Sequence, residues 1–342
     1  MRGWARGAGP EVQPPHLRDR LGEHAVPARP LETVAAEFGL SPEEAWDRLV
    51  EIRQKLFAGR EKRVRPGRDE KVLAAWNGMM LRSFALAART LGREDYREVA
   101  EKNAAFLLDK LKVNGRLHRS YKDGRARFNG YLEDHAMVAD GLLALYEATF
   151  ETRWLAEAQD LCDAVTELFW DEDRKAFYDT PADHEELVTR PRDVYDSAAP
   201  SGNSVAVDVL LRLALLLDRD DYRARAETVL EEMGGGMEKI PSAFGRLLAA
   251  LDFHLSRKWE VAIVGEPGAT ETKALVDAVF ARYRPNKVVA GRAPDDEAAA
   301  NLVPLLADRP TRDGKATAYV CEGYACQAPT NDPEELSRQL AG

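Results

Sequence analysis

From Trp76 to residue 257 two kinds of helical pattern alternate, and this constrains the fold more than any other feature of the chain. Residues 205–217 are apolar on nearly every side, whereas Tyr222, Ala226, Val229 and Met233 mark a helix with one apolar face. Leu132, Ala136, Ala139, Leu143, Tyr146 and Phe150 recur at steps close to the 3.6-residue period, and Trp154, Ala158, Leu161, Val165 and Leu168 do the same. An earlier pair is predicted on Trp76, Met80, Phe84, Ala87 and Leu91, then on Tyr96, Ala100, Asn103, Leu107 and Leu111. A helix apolar all round needs neighbours on every side, and a one-sided helix needs them on one. An inner ring of buried helices with an outer ring of amphipathic ones meets both demands. The expected fold is therefore mainly α, a toroid of helical hairpins.

The punctuation agrees. Linkers within pairs are short (92–94 and 218–220), while linkers between pairs are long and hold hairpin-like pieces at 115–128 and 171–180. Long junctions at one end of a toroid are where function is expected. Ser41 and Pro42 open a helix with acids in its first turn. The triplet Gly234, Gly235 and Gly236 is expected to end one helix, and Pro241 to start another reaching Leu255. The stretch 60–71, with six basic residues and three acids, reads as a solvated linker.

After residue 257 the texture changes. Strands are predicted at 259–265, 286–290 and 316–320, with helices at 270–283 and 295–307, giving a small parallel α/β unit. The expected organisation is an irregular arm over 1–30, a toroid segment over 31–257 and the α/β unit over 258–342. Prolines 10, 14, 15, 27 and 30 are the reason for expecting the arm to be mobile.

Bulk properties exclude several functions. A formal charge of −10 argues against nucleic-acid binding, which needs a basic face. No segment approaches the roughly 18 uninterrupted apolar residues of a membrane span. Three cysteines make no disulfide framework, so a reducing cytoplasm is expected. Cys321 and Cys326 lie five apart near a strand end, where a regular strand would point them to opposite faces; they are expected as idle thiols unless the chain turns at Gly323. No metal-ligand motif is present, and neither metal nor cofactor is expected.

The densest acid–base chemistry is Tyr131-Leu132-Glu133-Asp134-His135-Ala136, where a polar loop turns into an apolar helix. Similar junction residues return at Tyr195, Asp196, Ser201 and Asn203. Two carboxylates across a cavity, Asp134 and Asp196, suit acid and base roles in glycosyl chemistry. His135 with His254, which falls on the inner stripe of its helix, is the other acid–base option. Trp76, Tyr131 and Tyr195 could stack on a sugar face; Asn77, Glu133, Ser201 and Asn203 could bind hydroxyls. Capping and core packing are the structural alternatives for these residues.

Five dispersed segments also resemble a known family: KVLAAWNGMM (71–80), YLEDHA (131–136), PSGNS (200–204), PNKVV (285–289) and YVCEGYACQAPTNDPEEL (319–336). They are similar to the C-terminal part of the YyaL-like, spermatogenesis-associated protein 20 family. The resemblance implies a thioredoxin-like domain followed by an (α/α)6 toroid like those of six-hairpin glycosidases and N-acylglucosamine 2-epimerases. The thioredoxin-like part and the early hairpins have no counterpart here, so a partial toroid is expected. Either the chain is a fragment, or a partner chain or second copy completes the ring.

The expectation is a carbohydrate-active toroid, epimerase- or glycosidase-like, with a sugar-like small molecule as ligand. The alternative is a non-catalytic helical scaffold.

Overall fold

In the computed structural model, residues 4–6, 25–27, 29–185, 187–323 and 325–341 are described. Contacts divide the chain into two units, Met1–Asp69 and Glu70–Gly342. The division falls inside the basic linker.

In the first unit, β1 (Trp4–Arg6) pairs antiparallel with β2 (Ala25–Pro27). Most of the expected arm lies outside the described residues. A short helix α1 (Leu31–Glu37) packs on α2 (Pro42–Glu61). The start of α2 follows its sequence: Ser41 Oγ accepts the Glu44 N–H at 3.1 Å, and Glu44 Oε2 accepts the Ser41 N–H at 2.8 Å.

The second unit begins with β3 (Val72–Leu73) and the hairpin of α3 (Ala74–Leu91) and α4 (Glu94–Phe106). A junction follows, made of β4 (Lys112–Val113), β5 (Arg116–Lys122) and β6 (Arg125–Asn129). Asp123 and Gly124, both at positive φ (53° and 75°), turn β5 into β6. The second hairpin is α5 (Leu132–Thr149) and α6 (Thr152–Leu168), followed by the ribbon β7 (Trp170–Asp171) and β8 (Ala176–Phe177). The third is α7 (Gly202–Leu217) and α8 (Asp220–Lys239), and α9 (Gly245–Leu255) completes the series.

Helix α5 packs against both α3 and α7, and α7 against α9, so α3, α5, α7 and α9 form an inner row with α4, α6 and α8 outside it. This is a partial α/α toroid. The all-round apolar pattern has its expected consequence: α5 and α7 are buried along nearly their whole length. Each fully buried leucine, such as Leu142, Leu145 and Leu210, contributes about 1.5–3 kcal/mol relative to exposure.

Three local expectations fail for physical reasons. On α3 the large residues Trp76, Met80 and Leu91 are exposed, and Ala74, Ala75, Gly78, Leu81, Ala85 and Ala88 are buried instead. The contact with α5 is too close for bulk: a Cβ on Gly78 would lie 2.5 Å from the Met137 carbonyl carbon, and one on Gly141 2.7 Å from Gly78 O. Second, α8 runs through its glycine triplet to Lys239, because Met237 is buried beyond it and Gly236 lies against the Phe244 ring. Packing outweighs the roughly 1 kcal/mol per glycine that a helix interior loses relative to alanine.

The third concerns the sheet. The strands are β9 (Trp259–Val264), β10 (Lys287–Arg292), β11 (Thr317–Glu322) and β12 (Ala325–Cys326), in the order β10-β9-β11-β12. β9 and β10 are parallel, across the helix α10 (Thr270–Phe280), but β11 is antiparallel to β9. Arg292 and Thr317 both pair with Val264, so the segment between them, including α11 (Glu297–Leu302), returns to the sheet at the end it left. Helix α12 (Pro333–Gln339) closes the chain. Ala262, Val264, Val288, Ala290 and Leu306 share one core with the helical hairpins.

A buried ion network links the inner row. Arg246 of α9 donates to Asp140 of α5 at 2.9 Å and lies 2.5 Å from Asp208 of α7. Arg82 of α3 donates to Asp140 at 3.1 Å, and Arg212 to Asp208 at 2.9 Å. Burial opposes ionisation of Asp208, but Arg212 and Arg246 hold its carboxyl below the usual range.

Candidate functional site

Four inner helices start at the same end of the unit, and two aspartates tie those starts together. Asp134, in the first turn of α5, accepts the Ala75 N–H of α3 at Oδ1 (3.1 Å) and the Tyr131 N–H at Oδ2 (2.9 Å). Asp196 accepts the Ser201 N–H at Oδ1 (2.9 Å), and at Oδ2 the Arg246 N–H (2.7 Å) that opens α9. Between them Gly202 sits so close to α5 that a Cβ there would lie 2.8 Å from Glu133 N. Unsatisfied N–H groups and the positive ends of helix dipoles collect at this face, and anionic side chains suit it.

Of the expected catalytic residues, Asp134, His135 and Asp196 lie at these helix starts and His254 does not. Asp134 is 1% exposed, and both its oxygens are engaged, with Arg119 also 3.2 Å from Oδ2. Burial pushes its carboxyl up to about 6, against the pull of the Tyr131 N–H and Arg119. His135 is equally buried: Nδ1 lies 3.0 Å from Tyr131 O, and its ring meets Phe169 edge-on at 5.0 Å. Burial lowers its pKa to about 4, so the ring is neutral at pH 7 and Nδ1 donates to that carbonyl. Asp196 is likewise committed to backbone at both oxygens. His254 lies in the last turn of α9, its Nδ1 3.9 Å from Glu227 of α8. At 1.5 Å per residue it stands about 12 Å along the axis from Arg246. It does not meet His135.

The expected binding residues divide into two groups. Ser201 is the N-cap of α7, its Oγ accepting the Ser204 N–H at 3.1 Å. Asn203 donates to Asp193 O at 3.0 Å, and its buried Oδ1 has no hydrogen-bond partner among the described residues. Asn77 donates to Leu73 O at 2.9 Å. All three make hydrogen bonds to residues near them in sequence. Trp76 and Tyr195, by contrast, are 65% and 56% exposed, and Tyr131 and Glu133 are partly open.

Two further residues join them that sequence reasoning missed. Arg119 of β5 donates to Glu133 Oε1 at 2.8 Å, and its guanidinium lies 4.5 Å from the Tyr131 ring centre. Asp179 follows β8; its carbonyl accepts the Leu132 N–H at 2.9 Å and its Oδ2 the Asp193 N–H at 2.8 Å. Burial raises the Asp179 carboxyl to about 6, and the charges of Asp193 and Glu133 add to the shift. One carboxylate salt-bridged to arginine and one raised to about 6 can divide base and acid roles. The only sequence signal for either residue was its place in a junction hairpin.

No family model matches the chain. Human spermatogenesis-associated protein 20 is 35% identical over 322 residues, which are 91% of this chain and 41% of that protein. The chain is a homologue of spermatogenesis-associated protein 20. The rat protein of that name is also 35% identical, and an uncharacterised protein of Caenorhabditis elegans is 24% identical, each over 322 residues. The chain thus spans about two fifths of the length of spermatogenesis-associated protein 20.

Among solved structures, cellobiose 2-epimerase from Bacillus thermoamylovorans is similar over 49% of this chain and 45% of its own, with 15% identity and a TM-score of 0.42. Unsaturated glucuronyl hydrolase from a Bacillus species is similar over 51% and 50%, with 17% identity and a TM-score of 0.40. Likeness at this level assigns neither site nor reaction.

Proposed function

We propose that this protein is a carbohydrate-active toroid that takes a sugar or sugar-like molecule at the shared end of its inner helices. The observation that carries the reading is the exposure of Trp76 and Tyr195 at an end that also presents Glu133, Arg119 and Asp179. Aromatic faces suit the C–H faces of a pyranose, and carboxylates and guanidinium suit its hydroxyls. Asp179 would be the proton donor and Glu133, oriented by Arg119, the charge that faces it. Epimerisation and glycoside hydrolysis both fit such a pair.

Calorimetric titration with a panel of mono- and disaccharides, paired with product analysis, tests the reading. At least one sugar should bind the wild type, with Trp76→Ala weakening it about tenfold and Asp179→Asn abolishing turnover. Absence of both binding and turnover across the panel would sink it. A second reading is a non-catalytic scaffold. The commitment of both Asp134 and both Asp196 oxygens to backbone N–H groups favours it. It predicts that Glu133→Gln and Asp179→Asn change nothing the protein does.

A further inference from the structure

The chain's one joined pair of cysteines lies away from that end. Cys321 lies one residue before the end of β11, Gly323 turns the chain at φ 52°, and Cys326 on β12 faces Cys321 across the ladder, so the two form a disulfide rather than idle thiols. The turn removes the two-face objection that a regular strand would raise. Its two ends differ in access: Cys321 is 1% exposed, whereas Cys326 is exposed.

Arg309 touches both sulfurs, its Nη2 being 3.2 Å from Cys321 Sγ and 3.4 Å from Cys326 Sγ. The guanidinium is fixed from behind by the carbonyls of Leu305 and Ala307. Beside it opens a cavity of about 440 Å3, lined by Cys321 and Arg309 together with Ala214, Lys258 and Glu260. Glu260 anchors the turn, its Oε1 accepting the Gly323 N–H at 3.1 Å. A disulfide with no chemical task needs neither a fixed cation on its sulfurs nor open space beside the buried one.

We infer that Cys321–Cys326 is a thiol–disulfide exchange site for low-molecular-weight thiols, with Arg309 stabilising the sulfur that leaves. An incoming thiolate attacks the exposed Cys326 Sγ. A mixed disulfide forms there, the Cys321–Cys326 bond breaks, and its electron pair stays on Cys321 as a thiolate beside Arg309 and the cavity. A second thiolate attacks the small molecule's sulfur in the mixed disulfide, which releases the oxidised small disulfide and leaves Cys326 as the second thiolate. Two molecules of thiol are oxidised and one protein disulfide is reduced; the two protons from the thiols pass to the protein thiolates or to solvent. A neighbouring guanidinium lowers thiol pKa values and favours the reduced form. The inference is independent of any sugar chemistry at the helix starts.

The test holds the native protein in buffers of graded reduced and oxidised glutathione, then quenches with an alkylating reagent and reads the mass. Cys321 and Cys326 should become labelled together while circular dichroism stays unchanged and the buried Cys162 stays unlabelled. Arg309→Met should shift the equilibrium toward the disulfide by about tenfold, close to 30 mV for a two-electron exchange, and Arg309→Lys should restore most of it. In single-cysteine variants, Cys321→Ser should trap glutathione on Cys326, and Cys326→Ser should trap little on Cys321. A disulfide that yields only when the chain unfolds would overturn the inference. So would an equilibrium indifferent to Arg309→Met, or trapping in the reverse order.

Discussion

Asp134 Oδ1 accepts the backbone N–H of Ala75 at 3.1 Å, a single bond that joins the first turns of two inner helices 59 residues apart in sequence. The same carboxylate closes its own helix through the Tyr131 N–H. Loss of a buried acceptor leaves those donors unsatisfied, at about 1–3 kcal/mol each. Asp134→Ala should therefore lower unfolding free energy by about 3 kcal/mol in urea titrations, and Asp134→Asn by somewhat less. An Asp134→Ala variant as stable as the wild type would mean that the helix starts are held by other contacts.

Glycines in this chain should give opposite results according to what faces them. Gly78→Ala would drive a methyl into the Met137 backbone, while a Cβ on Gly234 of α8 meets nothing within 4 Å. Gly78→Ala is expected to cost at least about 2 kcal/mol, as overpacking does, and Gly234→Ala to add about 0.5–1 kcal/mol through helix propensity. Thermal melts of both variants decide this, and a fall in Tm for Gly234→Ala would contradict the open space.

How much of this was legible beforehand varied with the kind of interaction. The all-round apolar texture of residues 205–217 led directly to a helix buried on every side, because burial by neighbours leaves no other pattern. Trp76, Met80 and Leu91 misled for the converse reason: periodicity reports which residues share a face but not how closely that face is approached. At a backbone contact such as Gly78 on Met137, small residues go inside. Asp134 and His135 stood out by density of titratable groups, but the capping bond of the one and the burial of both depend on neighbours that the sequence does not bring together. Arg119 and Asp179 were hidden because their partners, Glu133 and Leu132, are brought to them only by folding.

The buried ion network offers a sharper stability test. Arg246 sits between Asp140 and Asp208, so Arg246→Met removes one of the two arginines each carboxylate faces and leaves Asp140 with Arg82 and Asp208 with Arg212. With those partners kept, the loss should fall below the about 3–5 kcal/mol of a buried pair broken outright. The double change Asp208→Asn with Arg246→Met should recover part of that loss, which a double-mutant cycle would measure. Additive losses would show that the pair is not coupled.

His135 predicts a pH dependence whose sign is fixed by its environment. Its pKa is lowered from 6.5 to about 4 in the folded chain, so its contribution to stability is full above pH 6.5 and is lost as pH falls through 4. The stability gap between wild type and His135→Gln should therefore narrow from pH 7 to pH 4. Asp134 and Asp179, both raised to about 6, act in the other direction: their contribution is full below the usual carboxylate pKa and is lost as pH rises through 6. A gap that widens on acidification would refute the assignment for His135.

The alignment of the helix starts sorts partial charge across that end of the molecule. Inner helices α3, α5, α7 and α9 present N-termini there, and α4, α6 and α8, running back toward the junction loops, present C-termini. Each terminus carries about half an elementary charge of opposite sign. The result is two adjoining arcs, electropositive inside and electronegative outside, four termini against three, whose difference is steepest within a few ångströms. A neutral, hydroxyl-rich molecule lying across them would be turned with its acceptors inward and its donors outward.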